Sequence, residues 1–371
     1  MCHYALERYH GYGEDPIEAF TEYALKERQK IHENMAGKVP PGFWNTMDEL
    51  EDLGRNILQH YLLHIKDNSD YEFEYVATEY EFSVPIPNQL IYLTDHCGEY
   101  YPWVTERWGQ TPESHEEFIR LYTSRGLVNV DLNPDGTILC MTIPPLYVGR
   151  LDGLVRDRRG DIWIIDHKFM AQLVDREMLT LDTQTARYVW AATVAIKRGW
   201  WEGISPDARI RGALYNVVRK KVPKVPRVLK DGTTSKSKID TTYEIFRSVL
   251  VSRKENPNDF REILLNLRDG GNKFFQLLEI ERRPQELDLM GQKLGYEYED
   301  MSRVASATRD LLHPILYPSP NRDCTWACSF KSICYVANWG GDVDHIIQAT
   351  MVPQKRTDLY ATQLEAEPEE I

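Results

Sequence analysis

The sequence predicts a mixed α/β fold: a central sheet that contains one β-hairpin and is flanked by helices. Three observations predict it. Residues 149–155 and 162–169 are rich in β-branched, aromatic and leucine side chains. Between them lies Asp157-Arg158-Arg159-Gly160, whose glycine suits the left-handed step of a tight turn. Residues 181–197 follow with helical periodicity, Asp182 or Thr183 serving as N-cap, and 210–218 reads as a further strand.

The remaining elements follow in order. Residues 17–34 and 46–66 carry helical patterns, and 71–87 reads as a strand that would join the hairpin's sheet. Residues 99–126 are polar and aromatic, an expected excursion with a short helix over 112–120. Helices are expected over 243–267 and 298–311, and the acidic end, 364–371, is expected to fray. At 371 residues, without repeats or long low-complexity stretches, the chain can bury a large core. A formal charge of −13 does not advertise nucleic-acid binding. The charge is uneven, however, because residues 219–238 hold eight Lys or Arg against one Asp. The prolines and glycine of that segment forbid a regular helix, leaving an extended basic loop that either contacts phosphates, with Lys220, Lys221, Lys224 and Arg227 foremost, or is a solvated linker.

The hairpin carries the chemistry. Alternation along a strand puts Asp166 and Lys168 on one face and His167 on the other, and the turn brings Asp152 opposite Ile165 or Asp166. Two carboxylates suit Mg²⁺ or Mn²⁺, and an ammonium beside them can orient a water or stabilise charge on a phosphate. The alternative is a solvated hairpin with a chance Asp/Lys pair. Gln184 and Tyr188 stand four apart, hence on one helical face within reach of such a site, or else form a buried polar face. Glu79 and Glu81 alternate with apolar residues on the preceding strand; either could reach a metal, although solvated strand-face charges are the plainer reading.

Taken together, Gly149-x-x-Asp152, Asp166-x-Lys168 and Gln184-x-x-x-Tyr188 resemble the RecB-type branch of the PD-(D/E)XK nuclease superfamily. The resemblance implies a restriction-endonuclease-like central mixed sheet, metal ligands at Asp152 and Asp166, a catalytic Lys168, and a Gln184/Tyr188 helix. Met1-Cys2-His3-Tyr4-Ala5-Leu6-Glu7-Arg8-Tyr9 is similar to the second half of the family's histidine helix, which makes His3 the implied third ligand. The chain therefore looks shortened at its start. Near the other end, Cys324, Cys328 and Cys334 form a C-x3-C-x5-C cluster with Trp326 and Phe330 between or beside the thiols. The absence of a signal peptide or long apolar run suggests a reducing compartment, which favours a metal over disulfides. The resemblance implies a C-terminal [4Fe–4S] region completed, if at all, by Cys2; zinc with His313 or His345 is the alternative. Cys97 and Cys140 read as small buried hydrophobes.

The implied organisation is a nuclease domain over 1–342, with its core at about 71–219 and its cysteine cluster at 321–335, then a tail over 343–371. The implied function is a metal-dependent DNA nuclease, an exonuclease of recombination, replication or end processing, in bacterial or phage-infected cytoplasm. Alternatives are a DNA-trimming nuclease of the CRISPR-adaptation type and a non-catalytic DNA-binding protein with a structural metal cluster.

Overall fold

The computed structural model describes residues 1–34, 41–66, 68–101, 120, 122–201, 203–309, 324, 328 and 330–351. Helices α1 (Cys2–Tyr12), α2 (Pro16–Asn34) and α3 (Phe43–Ile65) precede strand β1 (Glu74–Pro85). Short strands β2 (Ile91–Tyr92), β3 (Asn129–Leu132) and β4 (Ile138–Ile143) come next, then the hairpin of β5 (Leu146–Arg156) and β6 (Ile162–Met170). Helices α4 (Arg176–Thr180) and α5 (Thr183–Lys197) lead to β7 (Ile210–Arg219), followed by α6 (Tyr243–Ser252), α7 (Arg261–Asp269) and β8 (Phe275–Glu281). The last helices are α8 (Pro284–Arg309), α9 (Lys331–Asn338) and α10 (Asp344–Thr350). Contacts divide the chain into two compact units, Met1–Val84 with Leu146–Gly291, and Pro85–Pro145 with Gln292–Ile371.

The first unit is built on a five-stranded sheet in the order β1-β5-β6-β7-β8. β5 and β6 are antiparallel, β6 and β7 parallel, and β7 and β8 antiparallel, so the sheet is mixed as expected. A parallel pair needs a long crossover, and α4 and α5 supply it. The hairpin turn closes with Gly160 at φ 84° and its N–H donating to the Asp157 carbonyl (2.9 Å). The Asp157 carboxylate also accepts from the backbone N–H groups of Arg159 and Asp161, at 2.8 and 2.9 Å.

One apolar cluster joins α1, α2 and α3 to β7 and β8 through Ala5, Leu6, Phe20, Ile57, Leu58, Tyr61, Val218 and Phe275. Helix α5 buries Ala186, Val189, Trp190, Ala191, Ala192, Ala195 and Ile196. The run of alanines lets its backbone approach the sheet closely. Each large side chain so buried contributes about 1.5–3 kcal/mol. Asp182 caps α5, its side chain accepting from the Gln184 N–H.

The second unit contains a separate antiparallel sheet, β2-β4-β3. Its strands lie on either side of the excursion expected over 99–126, and β3 is exposed throughout, which hides its alternation. The helix expected over 112–120 lies outside the described residues apart from Arg120, and the tail over 364–371 lies wholly outside them. Two helix expectations need correction. The span 243–267 is not one helix: Asn256 and Pro257 start a 3₁₀ turn that separates α6 from α7. The helix expected from residue 298 starts at Pro284, its first half disguised by Gly291 and Gly295. Strand β8 was not anticipated.

Candidate active site

Strands β5 and β6 pair from Arg156↔Ile162 to Gly153↔Ile165, and the registered pairing then stops. Asp152 is the next residue, alongside Asp166, which selects one of the two placements the turn left open. Its carboxylate Oδ2 accepts the His167 backbone N–H at 2.8 Å. A side chain thus takes a main-chain donor of β6 at the point where the two strands diverge, and this ties Asp152 to β6. Gly149 has a packing reason: a Cβ there would come within 2.5 Å of the Phe82 ring, which itself lies edge-on to Tyr188.

Asp166 is 6% exposed. Lys168 Nζ donates to Asp166 Oδ1 at 3.1 Å and lies 2.9 Å from Oδ2 as its ion partner, yet Oδ2 is buried without a hydrogen bond. Lys168 Nζ also donates to Gln184 Oε1 (3.2 Å), and Gln184 Nε2 donates to the Tyr188 hydroxyl (3.3 Å). The helical face expected from the four-residue spacing is therefore turned to the hairpin. Tyr215, paired with Asp166 across β6 and β7, holds that helix start in place: its hydroxyl bonds Thr185 and donates to Asp182 Oδ2 at 3.1 Å.

His3, on α1, places Nδ1 3.5 Å from Asp152 Oδ2, and its ring lies 5.3 Å from Phe169. Two further carboxylates stand in the same field. Glu79 sits at φ 45° in β1 and pairs with Arg150 Nε at 2.9 Å. Glu7 lies one helical turn beyond His3, a spacing that could have flagged it in the sequence. Glu79 thus has more than the solvated role that its strand pattern suggests, since it feels the charge of Asp152.

Burial drives the titration of these groups. It pushes the Asp166 carboxyl up to about 6, Asp152 adding to the rise and Lys168 opposing it. Burial acts upward on Asp152 too, but the His3 hydrogen bond, the charges of His167 and His3 and the His167 N–H outweigh it, leaving that carboxyl below its usual range. Glu79 and Glu7 are raised by burial, with Arg150 opposing both shifts. Two adjacent carboxylates with pKa values driven apart are common at reactive centres.

His3, Asp152, Asp166, Lys168, Gln184 and Lys220 line one cleft of about 690 Å³, with Leu50, Leu53, Phe169 and Met170 as apolar neighbours. Its oxygen and imidazole donors suit Mg²⁺ or Mn²⁺, and Asp166 Oδ2, which accepts no hydrogen bond and has Lys168 as its ion partner, is an oxygen of the kind a cation would take. Among the described residues no three His, Cys, Asp or Glu side chains form a ready-made metal group. In this cleft His3 and Asp152 turn to each other while Asp166 turns to Lys168.

The cysteine expectations fare differently. Cys324, Cys328 and Cys334 form no disulfide, and no group of His, Cys, Asp or Glu that could hold a metal is found among the described residues, so a [4Fe–4S] or zinc site finds no support in their placement. His345 is exposed, and His313 and Trp326 lie outside the described residues. Cys2 instead lines the hairpin cleft, and burial raises its thiol pKa against the pull of the N-terminal amine and Lys220. Cys140 is buried as expected, whereas Cys97 is exposed in a turn capped by Asp95. Of the basic segment, Lys220 reaches the cleft, Lys221 pairs with Asp240, and Lys224 and Arg227 are exposed. No described helix is long and apolar enough to cross a membrane.

A search of curated proteins finds no matching relative. A family model does match, over residues 1–335, a span that contains every residue of the cleft. The chain belongs to the PD-(D/E)XK nuclease superfamily, a family of metal-dependent nucleases.

Proposed function

We propose that this chain hydrolyses DNA phosphodiester bonds with a divalent cation, acting from strand ends in recombination, replication or end processing. The observation that carries the reading is the convergence of Asp152, Asp166, Lys168 and Gln184 on one cleft. His3, Asp152 and Asp166 would hold Mg²⁺ or Mn²⁺, which when bound acidifies water and offsets phosphate charge. Lys168, steadied by Asp166 and Gln184, orients the attacking water or stabilises the charge that builds on phosphate. Tyr188 fixes the Gln184 amide. Lys220, with Lys221, Lys224 and Arg227, supplies phosphate contacts. Leu50, Leu53 and Phe169 give the cleft an apolar flank against which a base at a strand end can lie. Cys2, Cys324, Cys328 and Cys334 take no part in this chemistry.

Chelation of divalent ions should abolish cleavage of end-labelled DNA, and Ca²⁺ should restore binding without cleavage, because its looser shell activates water poorly. Comparison of linear with circular single-stranded DNA tests end dependence: equal rates on both would overturn it. Neutralising Lys220, Lys221, Lys224 and Arg227 together should flatten the salt dependence of binding by up to about one log–log unit per lost phosphate contact.

A further inference from the structure

The basic segment is a held loop, closed by one antiparallel bridge, rather than a loose linker. Its base is fixed beside the catalytic strand: the Lys220 N–H donates to the Met170 carbonyl (2.7 Å), two residues beyond Lys168, and the Lys224 N–H donates to the Asp240 carbonyl (2.8 Å). Its arms meet at the Val228↔Thr234 bridge, with the Ser235 N–H donating to the Arg227 carbonyl (2.8 Å). The tip is a turn closed by the Leu229 N–H to the Thr233 carbonyl (2.8 Å), with Gly232 at φ 85°. The returning arm is anchored by Thr234, 1% exposed, whose N–H and hydroxyl both donate to the Glu255 carboxylate, the hydroxyl at 2.6 Å.

This arm displays apolar side chains among cations. Val225, Val228 and Leu229 are 53%, 52% and 47% exposed, among the exposed cations Lys224, Arg227 and Lys230. A linker needs no apolar side chains at its tip, and the neighbouring cations select a polyanion as the surface they meet. Apolar side chains flanked by cations suit a DNA end, where the cations meet phosphates and the aliphatic groups press on an exposed base pair. Leu229 lies nine positions beyond Lys220, a contour of at most about 30 Å from the cleft.

We propose that the Val228–Leu229 tip is a wedge that opens the terminal base pairs of a duplex, so that one strand can enter the catalytic cleft. The direction of strand entry rests on the nuclease reading; the opening of the end does not. The test uses the full chain with Ca²⁺ and a blunt duplex carrying 2-aminopurine at its second base pair. Binding of the unsubstituted chain should raise the fluorescence severalfold toward that of the single strand. Val228→Ser with Leu229→Ser, which leaves every cation in place, should bind the duplex within about fivefold of the original affinity without the rise. With Mn²⁺, the same variant should cleave single-stranded DNA within about twofold of the original rate but blunt duplex at least about tenfold more slowly. Binding without a fluorescence rise in the unsubstituted chain, an equal rise in the variant, or equal slowing on both substrates would overturn the wedge. A fluorescence rise that depends on Val228 and Leu229, in a chain that cuts neither substrate, would uphold the wedge and defeat the nuclease reading.

Discussion

The two faces of β6 make opposite use of polar residues. On the face toward α5, Asp166 and Lys168 meet Gln184, and one buried carboxylate oxygen keeps no hydrogen bond. On the other face His167 enters a closed network. Asn216, 0% exposed, donates from Nδ2 to His167 Nδ1 (2.9 Å) and to the Tyr61 hydroxyl (2.8 Å), and Tyr71 donates to its carbonyl oxygen (3.4 Å). Because His167 Nδ1 accepts, its proton sits on Nε2, facing the Tyr75 hydroxyl at 3.4 Å; this tautomer follows from the network. The Tyr61 hydroxyl in turn faces His10 Nε2 at 3.2 Å. Burial lowers His167 to about 4 and His10 to about 3, so both are neutral near pH 7. Neighbouring residues of one strand therefore divide the labour: the His167 network holds the backbone still, and Asp166 and Lys168 open on the cleft.

That contrast can be broken by substitution, and the largest effect should fall on chemistry. Asp166→Asn and Lys168→Ala should each lower turnover on the order of 10²–10³-fold or more while DNA affinity stays within a few fold, measured by single-turnover cleavage and by binding in Ca²⁺. Wild-type turnover in either variant would end the assignment. On the opposite face, Asn216→Ala should cost on the order of 2–3 kcal/mol in urea unfolding, because it strips partners from His167 and Tyr61 in a dry interior. Turnover per folded molecule should survive; a variant that is stable but inactive would reverse the roles of the two faces.

Asp166→Asn should also stabilise the chelated protein at pH 7, by on the order of 1–3 kcal/mol. The sign follows from its raised pKa. Below the unfolded value of 3.8 the carboxyl is protonated in both states; between there and about 6 the unfolded chain ionises first, so folding loses stability as pH rises. The gap between variant and wild type should accordingly close near pH 4, and a gap independent of pH would contradict the burial argument. The smallest effects belong to the helix: Gln184→Ala should slow turnover roughly tenfold by freeing Lys168, and Tyr188→Phe less than about threefold.

Much of this was legible in the chain. The Asp157 to Gly160 turn, the alternation of Asp166, His167 and Lys168, the cap of α5 and the shared face of Gln184 and Tyr188 all rest on interactions a few residues long. Glu79 was legible only as an alternating charge, since its link to Asp152 depends on which strand lies beside β5. The break at Asn256-Pro257 was present in the sequence and was outweighed by the apolar pattern around it. Strand β8 carries no local mark that distinguishes an edge strand from other short apolar runs.

Periodicity and turn chemistry act over a few residues, and they already write the hairpin, the two faces of β6, the acidic pair with its lysine, and the basic character of residues 219–238 into the chain. Long-range packing sets where β5 and β6 part, that Asp152 takes the His167 N–H, and that His167 lies in a hydrogen-bonded network while one oxygen of Asp166 has only Lys168 as its ion partner. It also sets that the basic segment is an anchored, bridged loop and that the three clustered cysteines form no metal group among the described residues. Register, burial and electrostatic field are set by segments far away in the chain, and no local pattern encodes which of them will meet.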